Sequence, residues 1–181
     1  MRLFLSIPIP EEVADLLEDL QTDLPAGRPA DPEQFHLTLV FLDEQREEVA
    51  QAIHESLESL RAPAVEIRLR GLELFGGREP RTLYAGVADP EPLRALHAKV
   101  LARLRAAGVA PERRRFRPHV TIARFNALRR GEKPRLERFI TENAHFEAPP
   151  FLAREIELVH SVLGARGARH EPLAAYPLIE E

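Results

Sequence analysis

The chain predicts an α+β fold: antiparallel-rich sheets around a central cleft, helices packed outside, and two similar lobes related by pseudo-symmetry. Three observations predict it. Strand–helix–strand units come first and hairpins come late. A short motif occurs twice, as His36-Leu37-Thr38-Leu39 and His119-Val120-Thr121-Ile122, 83 residues apart in a chain of 181. Both copies alternate with period two, so on a strand each His and its Thr project from one face.

The elements follow in order. Arg2 to Ile7 reads as a strand. Pro10 and Glu11 open a helix to about Leu20, with Val13, Leu16, Leu17 and Leu20 at helical spacing. Pro25, Gly27, Pro29 and Pro32 mark a loop that delivers the chain to the first motif strand, Phe35 to Leu42. Glu44 to Leu60 is a helix that Pro63 stops. Val65, Ile67 and Leu69 alternate with charged residues, a half-exposed strand. Gly76-Gly77 is a turn, and Thr82 to Val87 a strand. Pro90 and Pro92 open a helix through Ala107, which Gly108 caps. The second motif strand covers His119 to Arg124. Glu132 to Asn143 is helical, Phe151 to Leu163 holds a strand, and Gly164 and Gly167 turn the chain into a last strand, His170 to Leu178. No linker separates independent domains, so residues 1–181 are expected to form one domain of two intertwined lobes.

Composition narrows the chemistry. With 44% hydrophobic and 30% charged residues the chain can bury a core. It has no cysteine, which excludes disulfides, thiolate nucleophiles and Cys-ligated zinc. The apolar start stops at Pro8 and is followed by Glu11 and Glu12, unlike a signal peptide. Nothing approaches the length of a membrane span, and a cytoplasmic location is expected. Net charge is −4, yet Pro111 to Arg135 holds eight Arg and Lys133 against Glu112 and Glu132. That basic block surrounds the second motif. It reads either as a solvated surface or as a local attraction for phosphate.

A pair of imidazoles in one cleft suits acid/base phosphodiester chemistry, one removing a proton while the other donates one. A Thr hydroxyl on the same strand face suits a phosphate oxygen, although Thr is also simply a good strand former. His36 and His119 are therefore the candidate catalytic residues, with Thr38 and Thr121 beside them. Strict alternation puts Arg124 on the face opposite His119, so it needs a bulge or a strand end to reach the cleft. His54 and His97 are expected on helix surfaces, and His145 in a loop. His160 and His170 lie in or near late strands. No acidic residue recurs at a fixed offset from the histidines, so no metal site is expected. There is no phosphate-binding Gly-rich loop and no Gly-x-Ser-x-Gly elbow.

Nearly end to end, the chain resembles the 2H phosphoesterase superfamily, which is named for two His-x-Thr/Ser-x motifs. Within it the chain is similar to the RNA 2′,3′-cyclic phosphodiesterases, also called 2′-5′ RNA ligase-like proteins. The resemblance rests on Arg2-Leu3-Phe4, Phe35 to Leu42, Gly71 to Phe75, Leu83 to Val87, Phe116 to Arg124, and the tail from Ser161. It implies a two-lobed fold and cofactor-free, metal-independent opening of 2′,3′-cyclic phosphate RNA ends to 2′-phosphates, with 2′-5′ ligation of tRNA fragments as a related activity. It assigns His36 and His119 as catalytic, with His119 the base for water and His36 the acid for the departing 3′-oxygen; the pseudo-symmetry equally permits the reverse. It implies phosphate contacts for Thr38, Thr121 and Arg124. A monomer is the default expectation, and the lack of a long apolar run gives no membrane partner. Phe4, Phe41 and Tyr84 are candidates for a base pocket, with core packing expected of Phe4 and Phe41. Relatives often carry Tyr near the tail where this chain has His170, and an aromatic residue where it has Arg28-Pro29-Ala30-Asp31. An RNA-end binding protein without turnover, and a phosphodiesterase for a small cyclic nucleotide, are the competing readings.

Overall fold

The computed structural model describes residues 1–180. Its strands are β1 (Arg2–Pro8), β2 (Arg28–Pro29), β3 (His36–Glu44), β4 (Val65–Phe75), β5 (Thr82–Ala88), β6 (His119–Arg124), β7 (Phe151–Ala153), β8 (Glu155–Gly164) and β9 (Gly167–Pro177). Its helices are α1 (Glu11–Thr22), α2 (Glu47–Glu58), α3 (Glu91–Ala106) and α4 (Glu132–Glu142). The strands form one nine-stranded sheet in the order β7-β4-β5-β6-β3-β1-β8-β9, with β2 also on β6. The α+β, antiparallel-rich expectation holds. All pairings between these strands are antiparallel.

Three boundaries differ from the sequence reading. Strand β3 runs on to Glu44, so α2 begins only at Glu47, where Glu47 and Glu48 favour the positive helix N-terminus. Strand β4 continues past Leu69 to Phe75. Gly71, at φ +74°, supplies the bulge that permits it, where the pairing with β5 slips between Arg70 and Leu72. The predicted Phe151–Leu163 strand is two, because the chain leaves β4 at Ala153, pairs with β9 from Glu155 and joins β1 from Glu157.

The sheet halves mirror each other. One is β3-β1-β8-β9 and the other β6-β5-β4-β7, and they meet at the two motif strands. Contact there is a single antiparallel bridge, Leu37 opposite Val120. Both of these side chains are fully buried, in the core that also takes Leu5, Ile7, Leu83 and Ala85 from the neighbouring strands. Val13 and Leu17 of α1, Ile53 and Leu57 of α2, Leu93, Leu96, Val100 and Leu104 of α3, and Leu136 and Phe139 of α4 belong to it as well. The helical spacing of these residues gives each helix one apolar stripe, so burial against the sheet rather than helix propensity holds them. Among the described residues no helix is long and apolar enough to cross a membrane.

Candidate active site

With Leu37 and Val120 facing the core, the alternation of a strand sends His36, Thr38, His119 and Thr121 to the other face, where all four are half-buried. Residue numbers across an antiparallel pair sum to a constant. The bridge therefore sets His36 across from Thr121, and Thr38 across from His119. The motifs form a four-cornered cluster with a His and a Thr from each half.

Each imidazole is fixed in the same way. Nδ1 of His36 lies 2.7 Å from the Gln34 carbonyl oxygen, and Nδ1 of His119 lies 2.7 Å from that of Arg117. A carbonyl only accepts, so Nδ1 carries the hydrogen in both rings and Nε2 is left with its lone pair. The neutral ring can then take a proton at Nε2, and the charged ring can return it there. Both rings have aromatic neighbours. Phe4 lies 5.0 Å from the His36 ring centre, and Phe75 and Tyr84 lie 5.0 and 5.2 Å from that of His119. The Tyr84 hydroxyl donates to Glu73 at 2.7 Å, and burial with that carboxylate pushes its pKa up to about 12.

Burial favours the neutral imidazoles. It lowers His36 to about 4, against an upward pull from the Gln34 carbonyl; nearby His170, Arg124 and His119 lower it further. His119 is lowered by burial and by Arg124, against its own carbonyl contact. Arg124 therefore has its charge near both motif histidines, and near His170 as well. Strict alternation predicted the opposite face for Arg124, and a bulge resolves the difference. The pairing of β6 with β5 runs Tyr84–Thr121 and then Leu83–Ala123, skipping Ile122. Ile122 and Ala123 are both buried, and Arg124 emerges exposed on the face of His119. Strand β3 does the same. Its pairing with β1 skips Leu39, Leu39 and Val40 are both buried, and Phe41 emerges exposed. The bulges fall at equivalent points of the repeat, so Phe41 and Arg124 are counterparts.

The expected burial is corrected for Phe41 and met by Phe4. Phe41 is 54% exposed. Phe4 is buried, but it touches the rings of His36, Phe41 and His170 and lies outside the core beneath the helices. His170 is a cleft residue that sequence reasoning did not select. Its ring is edge-on to His36 at 5.0 Å and to Phe4 at 4.9 Å. Its pKa is lowered by burial and Arg124, while Asp31 opposes them. The only available signal was that His170 departs from the Tyr common in relatives. His97 is not a free surface residue: it stacks on Phe116 at 4.1 Å and pins the basic loop to α3. His54 is tied to Tyr176 at 3.0 Å. Among the described residues no cluster of three or more His or carboxylate groups is arranged to hold a metal ion.

Residues 9–165 match the family model of the 2′-5′ RNA ligase superfamily. A curated Aeropyrum pernix protein named RNA 2′,3′-cyclic phosphodiesterase is 34% identical over 148 residues, covering 81% of this chain and 83% of the relative. A Thermus thermophilus protein of the same name is 36% identical over 140 residues, 70% of each. A crystal structure from Thermus thermophilus superposes with a TM-score of 0.77 at 26% identity, over 98% of this chain and 97% of that one. Escherichia coli LigT complexed with 3′-AMP has the same fold, with a TM-score of 0.79 at 23% identity over 98% and 97% of the two chains.

Proposed function

The chain belongs to the 2′-5′ RNA ligase superfamily, and on that premise we propose that it opens RNA 2′,3′-cyclic phosphate ends to 2′-phosphates by two-histidine acid/base catalysis. Its relatives from Aeropyrum pernix and Thermus thermophilus carry the name of that activity. The observation that supports the mechanism most is the matched anchoring of His36 and His119, each with Nδ1 on a carbonyl two residues upstream and Nε2 free.

The step needs no group beyond those in the cleft. Water adds to phosphorus and gives its proton to Nε2 of one histidine. The bond from phosphorus to the 3′-oxygen breaks, and the other histidine protonates that oxygen. His119 is taken as the base and His36 as the acid. Burial works against His36 in this role, because in the empty cleft it favours the neutral ring. The acid must gain its proton with the negative phosphodiester in the cleft, where an anion favours the charged imidazole. Thr38 and Thr121 donate to the non-bridging oxygens, and Arg124 balances their charge. In ligation a 5′-hydroxyl takes the part of the water.

The direct test is a short RNA with a 2′,3′-cyclic phosphate, incubated with purified protein and EDTA, with 2′- and 3′-phosphate products resolved. A 2′-phosphate product is expected. A 3′-phosphate product, or turnover that needs added metal, overturns the proposal.

The pH dependence is a second expected outcome. Activity needs one imidazole charged and one neutral. In the free protein His36 titrates near 4 and His119 below 6.5, both lowered mainly by burial. Below both pKa values no base remains, and above both no acid remains. The pH profile of kcat/KM, which reports free-enzyme groups, should peak between about 4 and 6.5 and fall toward pH 8. A plateau centred above 7 would show that other groups control the step.

A further inference from the structure

The two motif strands part on both sides of the Leu37–Val120 bridge, and the two gaps are filled differently. Toward Arg124, the gap beside β6 holds β2, which pairs Pro29 with Ala123 and Arg28 with Arg124. Toward Phe41, the counterpart of Arg124, no strand covers the matching edge of β3 among the described residues. A cavity of about 440 Å³ opens there instead. It begins at Thr38 and His119 and extends away from the cleft beneath the loop 111–117. Leu39 and Val40 line it from β3, and the exposed ring of Phe41 and that of Phe75 stand at its sides. Arg113 and Arg115 come from the loop.

The volume falls in the range of small-molecule sites, far beyond what a water nucleophile or a phosphate needs. An exposed aromatic face beside apolar walls suits a nucleobase, which stacks whatever its identity. The cations suit the strand's phosphates. Arg114 is neutralised by a two-bond contact to Glu112, at 2.9 and 2.5 Å. Arg113 and Arg115 make no ion pair among the described residues, and Asp43, the other acidic residue lining the cavity, acts on Arg114 without forming an ion pair. The balance at the cavity is positive and continuous with the cleft.

We propose that this cavity is a second nucleoside subsite, which stacks a base on Phe41 and holds its phosphodiester against Arg113 and Arg115. The substrate is then an RNA strand and not a cyclic mononucleotide, which fills only the cleft between the histidines. This inference rests on the cyclic phosphodiesterase reading above.

The test compares 2′,3′-cyclic CMP with a tetranucleotide that ends in the same cyclic cytidine phosphate, for wild type, Phe41→Ala and the Arg113→Glu/Arg115→Glu double variant. Base stacking and phosphate contacts of this kind predict that wild type favours the tetranucleotide by about tenfold or more in kcat/KM. Each variant should lose most of that advantage and stay within about twofold of wild type on cyclic CMP, since a mononucleotide leaves the stacking site empty. The double variant should also show a shallower salt dependence on the tetranucleotide. Equal kcat/KM for both substrates in wild type, or equal losses on both in the variants, overturns the subsite and leaves the phosphodiesterase intact. Failure of wild type to hydrolyse either substrate overturns the reading beneath it.

Discussion

Replacing His119 by alanine is expected to lower turnover of a cyclic phosphate RNA end by about 10²–10⁴-fold, the usual worth of a positioned proton transfer. Replacing His36 should cost about as much. Each supplies its half of the cleft with an Nε2 held in one place, because Nδ1 is committed to a carbonyl and aromatic side chains back the ring. The double variant should be little worse than either single one, because the two act as a unit. Stability should change little, since all four motif residues sit outside the apolar core beneath the helices. A substrate with sulfur at the bridging 3′ position separates the roles. A thiolate leaves without a proton, so this substrate should restore much of the activity of His36→Ala and little of that of His119→Ala. The opposite pattern would exchange acid and base. Full activity of either variant on the oxygen substrate would end the two-histidine mechanism.

The second large effect concerns the hydroxyls. Thr38→Val and Thr121→Val keep the branched shape that a strand accepts and remove only the donor. Each hydroxyl lies across the bridge from the histidine of the other half, so each corner of the cluster pairs a proton carrier with a donor. Charge builds on the non-bridging oxygens as water adds to phosphorus, and a fixed donor is worth most at that point. Loss of one such donor typically costs about 10²–10³-fold in kcat. The loss should fall on kcat more than on KM. A rise in KM alone would mean that the hydroxyls hold the bound phosphate equally well before and during reaction.

Much of this was readable from local pattern. Period-two alternation located the motif strands, and 3.6-residue spacing located the first three helices. The repeated His-x-Thr selected the four residues that the fold brings to one face. Pairings between distant segments were harder to read. His170 reaches His36 only because the β8–β9 hairpin folds alongside β1. Alternation misled at Arg124, because it assumes an unbroken pleat, and the matching bulge in β3 brings out Phe41, which was expected in the core. The trace of the break was present as two adjacent apolar residues after each motif, Leu39-Val40 and Ile122-Ala123. In a strand with one wet face, such a pair signals either a fully covered segment or a bulge, and only the register with β1 and β5 distinguishes them. Gly71 likewise extends β4 through a conformation that sequence alternation does not encode.

The paired bulges also act as a counting device. Each adds one residue between the reacting group of its half and the side chain that flanks it. Were the bulge in β6 closed with every residue kept, His119 and Thr121 would stay in place, yet Arg124 would turn from the wet face into the oil and Phe125 would come out in its stead; deleting Ile122 as well would return Arg124 to the wet face, one residue nearer the histidine. In this molecule the spacing after each motif carries information that the residues within the spacing do not. A chain could exchange nearly every letter there and keep its chemistry, provided that it keeps the number.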